Sequence, residues 1–297
     1  MTLGASTRPL RKQLASGMPA ARFAVKAVVL LVAITWLIPT TGLLISSFRT
    51  RTQILESGWW QALTHAFDFR QWTLGNYQQV LGSEGMGNAF VNSLVVAIPS
   101  TVIPVAVAML AGYGFAWMEF KGRRVLFSIM VGLMVVPAQM ALIPLLRLFV
   151  GLDLNGTFFA VWLAHTGFGL PLAIYLFRNY IGSLPRSLIE SAAVDGASHL
   201  TTFVRLVLPL SVPIIASFAI FQFLWVWNDL LVALVFLGGT QDVAVLTLRL
   251  SELVGSRGED WHLLTAGAFI TMTLPLAVFF SLQRYFVRGL IAGSVKG

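Results

Sequence analysis

The residues with the greatest chemical potential in this chain lie in one run, Phe221-Gln222-Phe223-Leu224-Trp225-Val226-Trp227-Asn228-Asp229. The run sits inside an apolar segment of membrane length. A carboxylate there costs a few kcal/mol even on lenient insertion scales, so Asp229 has to face other helices or a wet cavity. Helical spacing puts Phe221, Trp225, Asn228 and Val232 on one stripe and Gln222 with Asp229 on the adjacent one. On a continuous helix Asp229 lies roughly 12 Å below the outer end of the segment. Rings beside hydrogen-bonding groups suit a polyhydroxylated ligand, whose C–H faces pack on rings while its hydroxyls demand donors and acceptors. A second role is equally open to Asn228 and Asp229: knitting this segment to its neighbours, or satisfying a loop.

No enzyme-like constellation accompanies this run. The four histidines, His65, His165, His199 and His262, fall in separate segments and form neither an H-E-x-x-H motif nor a paired metal spacing. His165 reads as a hydrogen-bonded buried residue rather than a proton relay. The absence of cysteine removes disulfides and thiolate metal sites. A G-x-x-x-x-G-K-[ST] phosphate loop is also missing, so any ATP and Mg used to drive work by this protein would belong to another polypeptide. No catalytic and no metal-ligating residues are expected.

The elements around the run must be membrane helices, because 57% of the 297 residues are hydrophobic and only 11% are charged. The net charge of +8 comes from short segments between apolar runs. That placement fits the positive-inside rule and gives no basic face for nucleic acid. The first 22 residues read as a basic cytoplasmic tail. The run after it is long enough to cross a hydrocarbon core of roughly 30 Å, and lacking a convincing A-x-A site it should stay attached as a span. Candidate spans lie at about 27–47, 90–117, 125–147, 157–180, 210–237 and 263–286. Pro39, Pro99, Pro104, Pro137, Pro144, Pro171, Pro213 and Pro275 fall in or at the edge of these spans. In lipid each proline frees a backbone carbonyl that a neighbouring helix or water must satisfy, which predicts kinked spans in contact with one another.

Charge counting sets the orientation. Fourteen of the 20 Lys and Arg residues lie in the N-terminal tail, 118–124, 178–205 and the C-terminal end, whereas Arg49, Arg51, Arg70, Arg147, Arg249 and Arg257 lie in the alternate segments. Both termini are therefore expected in the cytoplasm. The outward segment 49–89 carries Trp59, Trp60, Phe67, Phe69 and Trp72, which read as rings in the headgroup layer. The outward segment 238–262 reads as a polar loop.

Between the fourth and fifth spans lies a polar island, residues 183–209. Pro185 suits the first turn of a short helix, Asp195-Gly196 breaks it, and Ser198 suits the N-cap of the next, with Leu200, Phe203, Val204 and Val207 on one face. The spacing of Glu190-Ser191-Ala192, Asp195-Gly196-Ala197, Leu208-Pro209-Leu210 and Pro213 resembles the EAA coupling loop of permease subunits of ATP-binding-cassette (ABC) importers, with Ser191 where Ala is more frequent. Trp227-Asn228-Asp229 is similar to a feature of the carbohydrate-uptake branch typified by the maltose permease. The C-terminal run Gln283 to Gly297 resembles the terminal pattern of that branch, with Ser294 at a small-residue position. The likeness extends over nearly all the chain from about residue 24.

The resemblance implies an all-α membrane protein of six transmembrane helices with the permease fold of an ABC importer. It implies ATPase coupling through Glu190, Ser191, Ala192, Asp195, Gly196, Ala197, Leu208 and Pro209. It also implies a C-terminal ATPase contact through Gly293, Ser294, Val295, Lys296 and Gly297. Phe221, Trp225, Asn228 and Asp229 are the candidates for the substrate pathway. The implied partners are a second permease subunit, an ATPase dimer carrying ATP and Mg, an extracytoplasmic solute-binding protein, a sugar or polyol and the lipid of the inner membrane, with no nucleic acid. The alternatives are an ion-coupled secondary transporter, in which Asp229 would serve coupling, and a non-catalytic membrane assembly protein. The secondary transporter would not need the Asp195-Gly196 elbow.

Overall fold

The computed structural model describes residues 19–254 and 260–294, and all regular secondary structure in them is helical. Apolar chain in hydrocarbon has to satisfy its backbone within the segment, and the helix does this. Four helices are long and apolar enough to cross a membrane alone: α1 (Pro19–Ser47), α2 (Met86–Trp117), α5 (Phe158–Gly182) and α11 (Trp261–Ser294). Two further pairs reach that length only as broken helices. In the first, α3 (Arg123–Leu133) and α4 (Ala138–Gly151) meet at 102°. In the second, α7 (His199–Leu210) and α8 (Val212–Trp227) meet at 72°. Counting each bent pair as one span gives six.

The first break falls inside the expected span 125–147, at one of the prolines read as kinking it. Met134, Val135 and Val136 close tight i→i+3 bonds to Val131, Gly132 and Leu133. Pro137 then takes an extended conformation as the N-cap of α4. A proline disfavours helical backbone in the residue before it and carries no N–H, so the helix ends and restarts in a new direction. The expected span 210–237 is interrupted as well. α8 ends at Trp227, and after three residues α9 (Leu231–Leu237) begins.

α2 and α5 form the spine. Gly112 allows them to touch backbone to backbone, since a Cβ there would lie 3.0 Å from the Arg178 amide nitrogen and the Phe177 Cβ. One core cluster gathers Met109, Tyr113, Phe177, Ile181, Phe203 and Phe218 at the end nearest the polar island. Another gathers Met86, Val96, Phe149, Val161, Trp227 and Phe236 at the opposite end. α1 packs on α11 and leaves most of its apolar surface exposed, from Phe23 to Ile38.

Three prolines reveal how kinked spans are held together. A proline at position i leaves the carbonyl at i−4 without its helical donor. The Val95 carbonyl, freed by Pro99, accepts from Trp162 Nε1 of α5 at 2.8 Å. The Ser100 carbonyl, freed by Pro104, accepts from Gln222 Nε2 of α8 at 3.2 Å. The Thr271 carbonyl, freed by Pro275, accepts from Trp227 Nε1 of α8 at 3.0 Å. Each bond crosses between helices, so the vacancy made by a proline becomes a specific interhelical contact.

The segment between α1 and α2 folds as short helices Arg51–Glu56, Gln61–Thr64 and Gly75–Leu81. Phe67 and Phe69 are exposed, whereas Trp59 lies against Gly42 of α1. Arg49 is buried and donates to the Gln53 and Ser57 carbonyls, each at 3.0 Å. Desolvation holds its guanidinium below the ordinary arginine value. The segment 238–262, expected as a polar loop, contains α10 (Leu246–Leu253), which packs on α2 and α11 with Leu246 and Leu248 buried.

Candidate functional site

The polar island forms the predicted elbow, and local sequence accounts for its geometry. α6 (Arg186–Val194) starts after Pro185, which stands at the N-cap rather than inside the first turn. Gly196 has φ +74°, the Ala197 N–H reaches the Ala192 carbonyl at 2.9 Å, and the Gly196 N–H reaches the Ala193 carbonyl at 3.1 Å. These two bonds are the Schellman closure, which needs a residue in the left-handed conformation that glycine adopts without a Cβ penalty. Ser198 then caps α7, its Oγ accepting from the Thr201 N–H at 3.2 Å.

Glu190, Ser191, Asp195 and Gly196 are exposed, and Ala192 and Ala197 are half-buried. Beside them Val194 is 88% exposed and Leu200 67%. An acidic tip with bare apolar side chains is suited to a protein surface. The expected common face of α7 divides: Phe203 and Val207 are buried, whereas Leu200 and Val204 are exposed. The same stretch holds a π-helical turn at Phe203–Val207, in which the Leu208 N–H bonds to the Phe203 carbonyl. Pro209 follows, and it has no N–H to offer the Arg205 carbonyl; a wider turn relieves that mismatch. Leu208 and Pro209 are exposed on the last turn of α7.

In the aromatic run, the break after Trp227 changes the expected stripes. Asn228 is the C-cap of α8, exposed, and its Nδ2 donates back to the Leu224 carbonyl at 2.7 Å. Asp229 Oδ2 accepts from the Val232 and Ala233 N–H groups at 2.9 and 3.2 Å, satisfying the orphan donors of the first turn of α9. The Asp229 carbonyl accepts from Thr247 Oγ1 at 2.7 Å, tying the break to α10. His165 Nε2 lies 3.9 Å from Asp229 Oδ2, and the His165 ring stands edge-on to Trp225 at 5.5 Å. Trp225, Asp229 and His165 are therefore brought together, while Phe221 and Asn228 are exposed.

Gln222 occupies the junction of α2, α5 and α8. It is fully buried, and besides the Ser100 carbonyl its Nε2 reaches the His165 carbonyl at 3.3 Å. Its Oε1 sits where a Cβ on Gly169 would fall, 2.7 Å away. Gln222 Oε1, Ser100 Oγ, His165 Nδ1 and Thr166 Oγ1 are buried without a hydrogen-bond partner among the described residues. Unsatisfied polar atoms are rare in folded interiors and call for a reason. Here they make a polar level within the bundle beside a small cavity lined by Ser93, His165, Trp227 and Asp229. Sequence spacing places Gln222 on the stripe of Asp229, but it gives no signal for Trp162, because its role arises from a proline on another helix.

Gly293 and Ser294 close the helical backbone of α11, and Val295, Lys296 and Gly297 lie outside the described residues. Among the described residues no group of three or more metal-ligating side chains is present.

A bundle of long and broken apolar helices with a polar interior level and an exposed capped elbow defines a polytopic membrane protein. The chain belongs to the family described as binding-protein-dependent transport system inner membrane component, whose model matches residues 104–292. It is 63% identical over 268 residues to the osmoprotective compounds uptake permease protein GgtD of Synechocystis sp., covering 90% of each chain. It is 46% identical to the alpha-glucoside transport system permease protein AglG of Rhizobium meliloti, covering 93% of this chain and 97% of that one. Among solved structures, a chain of a bacterial ABC transporter involved in the import of the acidic polysaccharide alginate superposes with a TM-score of 0.73 at 21% identity, covering 91% of this chain and 98% of that one. At that identity the likeness establishes the fold. The protein is thus a multi-pass inner-membrane permease with the fold of an ABC importer subunit.

Proposed function

We propose that this chain is one permease subunit of an ATP-driven importer for a sugar or a related polyol, working by alternating access. The observation that carries the reading is the exposed elbow, in which Glu190, Asp195 and Gly196 stand at a Schellman-closed turn. The relatives add the solute class, since one is named for osmoprotective compounds and another for alpha-glucosides. A solved importer of the same fold is complexed with an alginate pentasaccharide-bound periplasmic protein, which supports an external binding protein as a partner here.

In this reading there are six spans, two of them broken, with both termini cytoplasmic as the charge asymmetry requires. A second permease subunit completes the pathway. ATP and Mg are held by an ATPase dimer, which receives the elbow residues Glu190 to Ala197 together with Leu208 and Pro209. Gly293 to Gly297 make a second contact with it. No residue of this chain is catalytic. Phe221, Trp225 and Asn228 offer rings and an amide at the end of α8, while the carboxylate of Asp229 is occupied in holding α9.

The test is solute uptake into vesicles containing the co-purified complex and a loaded binding protein. Uptake that requires internal ATP and persists when ion gradients are abolished is expected. Uptake that continues without ATP and collapses with an ion gradient would identify a secondary transporter and overturn the reading.

A further inference from the structure

α7 is tied to the bundle at both ends by tyrosine hydroxyls. At its first residue, His199 Nδ1 lies 3.1 Å from the hydroxyl of Tyr113 on α2, with the two rings edge-on at 6.1 Å. At its last residue, the Leu210 carbonyl accepts from the hydroxyl of Tyr180 on α5 at 3.0 Å. Tyr113 is buried and also packs its ring against Phe203 at 5.5 Å. Between the two ties runs the π-helical turn, and beyond Leu210 the chain bends by 72° into α8.

Burial of apolar surface has by itself no preferred direction. A hydrogen bond has both length and direction and weakens steeply when either is lost. The two hydroxyls consequently set the register of α7 against two different spans. His199 is three residues past the left-handed Gly196, so the Tyr113 tie lies directly behind the elbow.

We infer that Tyr113 and Tyr180 are positioning residues that convert displacement of the elbow into movement of α2 and α5. The inference rests on the reading of the elbow as the ATPase dock. In it, α7 is a lever with ties at His199–Tyr113 and Leu210–Tyr180, and the π turn gives the compliance between them. Neither hydroxyl is required for the apolar packing of its ring.

The experiment uses the whole complex in vesicles, with uptake and ATP hydrolysis measured on the same preparation and the elbow monitored by cross-linking from Ala197→Cys to a cysteine-substituted ATPase subunit. For Tyr113→Phe combined with Tyr180→Phe, assembly and cross-linking should match wild type while solute moved per ATP falls about three- to tenfold. The exposed His199 provides a second arm that spares the core: His199→Leu should show the same loss, and His199→Gln, which retains an acceptor, should restore much of it. A wild-type uptake-to-hydrolysis ratio in the double tyrosine variant overturns the inference, as does equal behaviour of His199→Leu and His199→Gln. If the tyrosine variant does not assemble, the histidine pair decides. Loss of the cross-link in an otherwise wild-type, transport-active complex would instead count against the elbow as the dock.

Discussion

Replacing Trp227 by Phe should cost far more in the natural chain than in one where Pro275 has been changed to Ala. The indole Nε1 donates to the Thr271 carbonyl at 3.0 Å, and that carbonyl is free because Pro275 has no N–H. Phe leaves the carbonyl orphaned inside the bundle. Pro275→Ala supplies the missing helical N–H, so the same substitution then orphans nothing. The ring's own packing, stacked on Phe223 at 5.7 Å and edge-on to Phe90 at 5.5 Å, changes equally in both backgrounds and cancels. Interhelical hydrogen bonds in membranes average about 0.6 kcal/mol and reach about 1.7 kcal/mol. A buried orphan in general costs about 1–3 kcal/mol. The coupling energy should therefore fall near 0.6–1.7 kcal/mol, a roughly three- to twentyfold shift in the unfolding equilibrium. A double-mutant cycle read by reversible unfolding in mild detergent measures it, with Pro144→Ala on α4 as the remote control. Equal costs of Trp227→Phe in the natural and the Pro275→Ala backgrounds would refute the proline-carbonyl reasoning.

Three further outcomes follow from the same geometry. Gly169→Ala should destabilise the bundle by about 1–3 kcal/mol, because the new Cβ would stand 2.7 Å from Gln222 Oε1, and Gln222→Ala should relieve part of that cost; thermal unfolding of both variants and their combination checks it. Asp229→Ala orphans two N–H groups of α9 and should reduce the yield of assembled protein, whereas Asp229→Asn keeps an acceptor and should assemble nearly normally; size-exclusion profiles at matched expression separate them. Gly196→Val should uncouple hydrolysis from uptake without impairing insertion, as no atom lies within 4 Å of its Cβ and the strain is backbone alone, roughly 1–2 kcal/mol. Gly196→Asn, which tolerates the left-handed region, should behave close to wild type, and uptake per ATP is the readout.

What could be read in advance was local. The elbow was legible because a left-handed glycine and a serine N-cap are decided by the residues themselves, and Gly196 and Ser198 take those roles. The need for kinked spans to contact one another was legible from the prolines, but the donors were not: Trp162, Gln222 and Trp227 reach carbonyls on other helices, 44 to 122 residues away. The break within the run 125–147 was hidden from hydropathy, which does not fall across Met134, Val135 and Val136. Val135 is 83% exposed there, yet it is as apolar as its neighbours. At the break after Trp227, an aspartate that caps a helix and one that lies on a helix stripe look alike in sequence, so Asp229 read as part of a face it interrupts. α10 did carry a signal, since Leu246, Leu250 and Leu253 recur at helical spacing within the segment read as a loop.

The central claim is that energy enters this permease from a separate ATPase through the elbow. Because the chain has no cysteine, single substitutions at Ser191 and Ala197 provide unambiguous cross-linking sites. In a transport-active complex, at least one of Ser191→Cys and Ala197→Cys should cross-link to a cysteine-substituted ATPase subunit, with an efficiency that changes between nucleotide-free and ATP-bound states. No cross-link from either position in a complex that still transports would contradict the account.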